Sequence, residues 1–252
     1  MTDKTRAFAA LHVPGDPLIL VNIWDAGSAR AVAAAGAKAI ATGSFGVAGA
    51  QGRADGEDFP LEYALDNLAR ILAVTDLPVT IDMESGYGTD AAAVGASVAQ
   101  AKAAGAVGIN MEDRMPGDTA LLSISDAQAR YRAAADTGIF VNARCDVFRG
   151  GDIARDGDAL VAATLERARA YADAGAGSLF VPFLLDPKCI AAICEASPLP
   201  VNILRGKGGP THRELAGLGV ARISHGHQPW AAAMAWLTAQ AQQVLGGSEP
   251  DY

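Results

Sequence analysis

Apolar residues along the chain keep two rhythms that alternate from one end to the other. Short runs rich in β-forming residues recur at 18–25, 39–44, 78–84, 108–113, 140–146, 178–182, 200–204 and 222–226, which makes eight predicted strands. Between them lie alanine-rich stretches of helical length, such as 91–104, 126–136 and 158–174, where apolar positions return at helical spacing. Many stretches close on a glycine (Gly36, Gly105, Gly138, Gly175 and Gly219), placed where a left-handed cap is needed before the chain enters a strand. A βα unit of roughly 30 residues is therefore used again and again.

Strands alternating with helices predict a parallel sheet, and eight units are enough to close it into a (β/α)8 TIM barrel. The 252 residues match the usual size of one such barrel, so the expectation is a single α/β domain over 1–252 with a loose tail at 246–252. A doubly wound open sheet is the competing arrangement. No Gly-x-Gly-x-x-Gly follows the first strand, so the dinucleotide fingerprint common to that fold is missing. Solenoids repeat too, but with tighter consensus sequences than these units show.

Composition narrows the partners. Half of the residues are hydrophobic and 19% are charged, which excludes an extensively disordered chain. A formal charge of -8 gives no electrostatic reason to bind nucleic acid or an anionic membrane surface. It leaves room for small carboxylates, because a cation and an arginine reverse the potential locally. Cys145, Cys189 and Cys194 form an odd set without CxxC spacing, as in a reducing compartment. With neither a basic leader after Met1 nor an apolar run of about 18 residues, the expected location is cytoplasmic.

Barrel chemistry collects at the carboxyl ends of the strands. The third run ends Ile81-Asp82-Met83-Glu84, and strand alternation puts Asp82 and Glu84 on one face. The fourth ends Asn110-Met111-Glu112-Asp113, next to them. Carboxylates that crowded raise one another's pKa and destabilise the fold unless a cation intervenes, and Mg2+, or Mn2+ in its place, suits oxygen ligands with some reached through water. The competing reading has these acids capping helices or pairing with Arg114 and Arg144.

Arg144, at the end of the fifth run, fits a substrate carboxylate or a structural salt bridge with Glu112, and Asp146 fits a helix cap. Around Gly43-Ser44-Phe45 the backbone amides and the Ser44 hydroxyl suit a carboxylate or an oxyanion. The glycine-rich segment 205–211 occupies a phosphate-binding position of many barrels, yet Thr211 and Glu214 form an ordinary capping box, and the structural reading is favoured. His225 and His227 flank the last strand as proton carriers or plain hydrogen-bonding residues, while His12 and His212 look peripheral. Neither a His-x-x-x-His pair nor a Gly-x-Ser-x-Gly elbow is present.

Five motifs in order, Asn22-Ile23-Trp24-Asp25-Ala26-Gly27-Ser28-Ala29, Ala41-Thr42-Gly43-Ser44-Phe45-Gly46-Val47-Ala48, Asp82-Met83-Glu84-Ser85-Gly86-Tyr87-Gly88, Asn110-Met111-Glu112-Asp113 and Asn142-Ala143-Arg144-Cys145-Asp146-Val147-Phe148, resemble the isocitrate lyase and phosphoenolpyruvate mutase superfamily. The resemblance implies a Mg2+-dependent barrel that breaks or rearranges C–C or P–C bonds through a metal-bound enolate of pyruvate type. It implies Asp82 as metal ligand, with Glu84 and Glu112 holding metal waters. By the same resemblance Arg144 grips the carboxylate of a 2-oxo acid, joined by Ser44 and the Gly43 and Phe45 backbone. Asp55, Arg144 and Glu112 are the implied catalytic residues, and Asn202 joins Asp82 in substrate binding. Homo-oligomers, dimers or tetramers, are implied too.

The segment 114–123 departs from the pattern: it lacks the cysteine that the lyases carry on the loop after the fourth strand. That favours decarboxylation over cleavage of isocitrate type. The expected activity is lyase or decarboxylase chemistry on a small 2-oxo or 2-hydroxy dicarboxylic acid. Phosphonate chemistry, a non-catalytic 2-oxo acid binder and aldol-type condensation are the rivals.

Overall fold

All eight apolar runs become strands of one parallel sheet, and the first is interrupted. In the computed structural model, which describes residues 1–250 and 252, that run divides at Val21 into β1 (Leu18–Leu20) and β2 (Asn22–Ile23). There follow β3 (Ile40–Thr42), β4 (Val79–Asp82), β5 (Gly108–Glu112), β6 (Phe140–Arg144), β7 (Ser178–Val181), β8 (Val201–Leu204) and β9 (Arg222–Ser224). The sheet order is β1-β9-β8-β7-β6-β5-β4-β3-β2, every pairing parallel. Because β1 pairs with β9 and β2 with β3, one continuous stretch of chain meets both edges of the sheet. The result is the expected single-domain α/β barrel of TIM type, with nine strand segments where the sequence predicts eight.

The helices are α1 (Asp3–Ala9), α2 (Ala26–Ala34), α3 (Ser44–Ala50), α4 (Leu61–Leu72), α5 (Ala91–Ala103), α6 (Ile124–Asp136), α7 (Ile153–Asp173), α8 (Pro187–Ala196), α9 (His212–Gly217) and α10 (Gln228–Leu245). None among the described residues is long and apolar enough to cross a membrane. All five predicted cap glycines have positive φ, between +80° and +107°. At Gly105 a Cβ would also stand 2.8 Å from Leu72 Cδ1, the free end of a flexible side chain, so it is the backbone that requires glycine.

Two apolar layers hold the barrel. Outward residues of the strands, such as Ile40, Ile81, Ile109, Val141 and Ile203, pack beneath the helices in the main core. Inside, the amino-terminal end is closed by α1, whose Phe8 meets Phe140 edge-on at 5.3 Å among Leu18, Leu20 and Ala41. His12 belongs to this plug: it is buried, 4.5 Å from the Phe140 ring, and not peripheral as its place near the chain start suggests. Above the plug the lumen is polar. Ser178 Oγ donates to Asn142 Oδ1 (2.6 Å), Asn142 Nδ2 to Asn110 Oδ1 (2.9 Å), and Asn110 Nδ2 to Asp82 Oδ1 (3.0 Å). Register explains the ladder: Asp82 pairs with Asn110, Asn110 with Asn142 and Asn142 with Ser178 across adjacent strands. Most barrels fill this space with branched apolar residues, and a polar filling holds only when its members bond to one another.

Candidate active site

Asp82 is the last residue of β4, so it faces the mouth of the barrel. Its Oδ2 accepts from the Ser44 N–H at 3.2 Å and its Oδ1 from Asn110 and the Glu84 N–H. Glu84 lies beyond the strand with φ +50°, and Tyr87 follows at +50°. A left-handed turn, not strand alternation, therefore aims Glu84; residues with side chains hold such φ values only when the surroundings fix them. The loop after β3 supplies that fixing. Glu57 Oε1 accepts from Ser85 N–H (3.0 Å), Ser85 Oγ (2.5 Å) and Tyr87 N–H (3.0 Å), while Glu57 N–H donates to Glu84 Oε2 (2.6 Å).

Asp55, Glu84 and Glu112 face one cavity of about 170 Å3 with Arg114, Arg144 and the Met115-Pro116-Gly117 segment. Asp55, Asp82 and Arg144 face a second, of about 350 Å3, that runs down the lumen. Burial pushes Glu84 up to about 8, helped by the charges of Asp82 and Asp55. Glu112 is pushed up to about 7 by burial and by Asp146 and Asp82, against the pull of Arg144. Asp55 is raised by burial against the Ser44 hydroxyl. Asp82 thus repels the other three acids, and Asp55 repels Glu84 as well.

Arg144 Nη1 meets Glu112 Oε2 at 3.0 Å, and Nε and Nη2 fork onto Asp146 at 2.6 and 2.9 Å. Burial opposes its charge, and Glu112 and Asp146 outweigh burial, so its pKa is raised. Asp146 is an arginine partner and not the helix cap that its position suggests. Arg114 and Arg149 also reach it, at 3.7 and 3.6 Å. Its backbone N–H donates to buried Asp113, which in turn accepts from Tyr171 (2.6 Å) and Arg167 (3.2 Å). Phe183, itself left-handed at φ +64°, lies over Arg144 and Arg149.

Other expected residues divide. Gly43, Ser44 and Phe45 line the large cavity, but the Gly43 N–H is taken by Ile23 O at 3.1 Å and the Ser44 N–H by Asp82, so neither amide is free for an oxyanion. Asn202 is fully buried in the lumen, where its Oδ1 accepts from Ser224. His227 lines the large cavity, whereas His225 is tied to Leu20 O and His212. Thr211 and Glu214 form the capping box, as favoured. Sequence reasoning missed Glu57, Asn22 and Phe183. Asn22 Oδ1 accepts from the His225 and Gly226 amides and knits the last strand end to the first. Only the left-handed turn that Glu57 braces would have marked it, and no local pattern announces such a turn.

Among the described residues no group of three or more His, Cys, Asp or Glu side chains converges to enclose a metal ion. The donor set fits a cation held by a single carboxylate with further acids one water away, a habit of Mg2+. Asp82 borders the lumen and repels both Glu84 and Glu112, which border the adjoining cavity.

Known proteins resemble this chain over most of its length. The sequence profile described as phosphoenolpyruvate phosphomutase matches residues 8–245. A crystal structure from Burkholderia cenocepacia, provisionally named a phosphonomutase, is 48% identical with a TM-score of 0.92, over 96% of this chain and 98% of that one. An uncharacterised protein of Mycobacterium tuberculosis is 36% identical over 96% of this chain and 90% of its own length. The 2-methylisocitrate lyase of Escherichia coli (78% of this chain, 68% of its own) and the oxaloacetate decarboxylase of Rhodopseudomonas palustris (73% and 65%) are each 30% identical.

Proposed function

Because the chain belongs to the phosphoenolpyruvate phosphomutase family, a family of enzymes, we propose that it is a Mg2+-dependent lyase or decarboxylase. Its substrate in this reading is a small 2-oxo or 2-hydroxy dicarboxylic acid, oxaloacetate first. The observation that carries the reading is the meeting of Asp82, Glu84, Glu112 and Asp55 around two adjoining cavities beside Arg144. Asp82 would bind the cation directly, with Glu84 and Glu112 holding its waters, and Mn2+ would serve in its place. When bound, the cation supplies a Lewis acid for charge that builds on the substrate oxygen.

The protein's own residues do the rest. Arg144, oriented by its fork onto Asp146, takes the carboxylate next to the 2-oxo group. The C–C bond to the departing carboxylate breaks, CO2 leaves, and the electron pair passes into the 2-oxo group before a proton returns to carbon. Asp55, raised by burial and lining both cavities, is the residue we assign to that proton. The Met115-Pro116-Gly117 segment bounds the acid cavity. No cysteine stands on the segment 114–123, which supports decarboxylation over cleavage of the methylisocitrate type.

Oxaloacetate decarboxylation assayed beside phosphonopyruvate turnover, with and without Mg2+, tests the assignment. Asp82→Ala is expected to abolish the Mg2+-dependent rate while the circular dichroism spectrum stays unchanged; full activity in that variant would sink it. The 48% identity to a provisionally named phosphonomutase supports P–C bond chemistry as the second reading, and turnover of phosphonopyruvate alone would select it. We also infer a dimer or tetramer, because α10 leaves Trp236, Leu237 and Leu245 exposed. A monomer by light scattering would refute this.

A further inference from the structure

Three arginines line the large cavity, and they are not alike. Arg144 is forked onto Asp146 and meets Glu112, and Arg149 reaches Asp146. Arg222, on β9, is buried in the lumen and has no carboxylate within salt-bridge distance among the described residues. Its Nε donates to Ser224 Oγ at 3.3 Å and its Nη1 has no partner. Asn202, opposite Arg222 in the β8–β9 register, likewise leaves its buried Nδ2 unbonded, as does Thr80 its Oγ1.

A buried guanidinium facing no anion is expensive, and proteins rarely keep one without a use for it. Burial lowers Arg222 to about 9 against the pull of Asp82, so it is still charged at neutral pH. The groups around it offer no other negative charge. His12, below, is held neutral, largely by burial and partly by Arg222 itself, and Ser224, Asn202 and Thr80 are uncharged. Arg222, Ser224 and Thr80 line the floor of the cavity of about 350 Å3, with Asn202 buried next to Ser224, and polar groups left unbonded at such a floor describe a seat for an anion.

We propose that Arg222, with Ser224 and Thr80, is a carboxylate seat at the floor of the lumen, and that it selects four-carbon dicarboxylates over monocarboxylates of the same length. The proposal rests on the 2-oxo or 2-hydroxy acid reading above and deepens it. In this reading Arg144 and Arg222, which line one cavity together with Asp82, take the two carboxylates of one diacid.

Malate and 2-hydroxybutanoate, which differ in a terminal carboxylate against a methyl, are the probes, titrated by calorimetry with Mg2+ present. Wild type is expected to bind malate at least tenfold more tightly. Arg222→Met should bring malate to the level of 2-hydroxybutanoate and leave the latter within twofold, with the unliganded melting temperature equal or higher, since an unpaired buried charge is gone. Arg222→Lys should retain part of the preference, and it serves if the methionine variant fails to fold. A malate preference that survives Arg222→Met, or an equal loss for both ligands, overturns the seat. A thermal shift of wild type as large with chloride as with malate makes the occupant a halide and overturns it too. If neither acid binds wild type at all, the underlying reading fails along with the seat; if 2-hydroxybutanoate binds with Mg2+ and malate no better, only the seat fails.

Discussion

Arg144 stands among acids that would otherwise repel one another, and its worth depends on how firmly they hold it. Two bonds to Asp146 and one to Glu112 fix the guanidinium plane before any substrate arrives, which lowers the cost of ordering it on binding. Arg144→Ala is expected to weaken Mg2+-dependent oxalate binding by about 2–5 kcal/mol, read by calorimetry. Arg144→Lys should recover little of it, because an ammonium cannot reproduce the fork. Binding that ignored both changes would remove Arg144 from the carboxylate role. Behind it, Tyr171→Phe removes one of three bonds to buried Asp113, with an expected loss of about 1–3 kcal/mol in urea unfolding. At this scale the sequence was legible where a motif sits at a strand end. Asp82, Glu112 and Arg144 are the inward residues that alternation predicts. Glu84 does stand beside Asp82, as pattern put it, but a left-handed turn and not alternation brings it there, and pattern was silent on Glu57, whose contacts reach across 27 and 28 residues. Arg222 was legible only in hindsight, as an inward position in a strand otherwise read for its boundaries.

Helix ends show which local signals the fold enforces. Gly36 and Gly105 both end helices at φ of +92° and +107°, but a Cβ on Gly36 meets nothing within 4 Å while one on Gly105 meets Leu72. Gly36→Ala is expected to cost about 1 kcal/mol, the left-handed strain alone. Gly105→Ala is expected to cost nearly the same, about 1–2 kcal/mol, because Leu72 Cδ1 is the free end of a flexible side chain that can turn aside; a loss more than about 1 kcal/mol beyond that of Gly36→Ala in parallel denaturant titrations would contradict this. Glycine caps could be read from sequence because the constraint is local. The split at Val21 could not, because it arises where one stretch of chain serves β9 on one side and β3 on the other. Helix starts moved for a similar reason: α7 begins at Ile153, five residues before the periodic stretch, where Asp152 caps it.

At the scale of the molecule, eightfold alternation was enough to give the barrel, because a parallel sheet of that many units has few ways to bury both faces. What fills the lumen was not predicted: pattern distinguishes inward from outward residues but not which inward polar groups bond to one another. His12 shows the consequence. Burial, then the charge of Arg222, lowers it from 6.5 to about 3, so the folded protein holds it neutral where the unfolded chain protonates it. Its neutral form therefore carries no penalty above pH 6.5, and stability is lost progressively as pH falls from there toward 3, where the native site protonates as well. At pH 4 the loss from this one group is about 3 kcal/mol. His12→Phe keeps the ring contacts with Phe8 and Phe140 and removes the titration. Unfolding free energies of both proteins at pH 7 and pH 4 check it: wild type should lose about 3 kcal/mol more than the variant over that interval, and parallel losses would mean that acid opens the barrel elsewhere than at its plug.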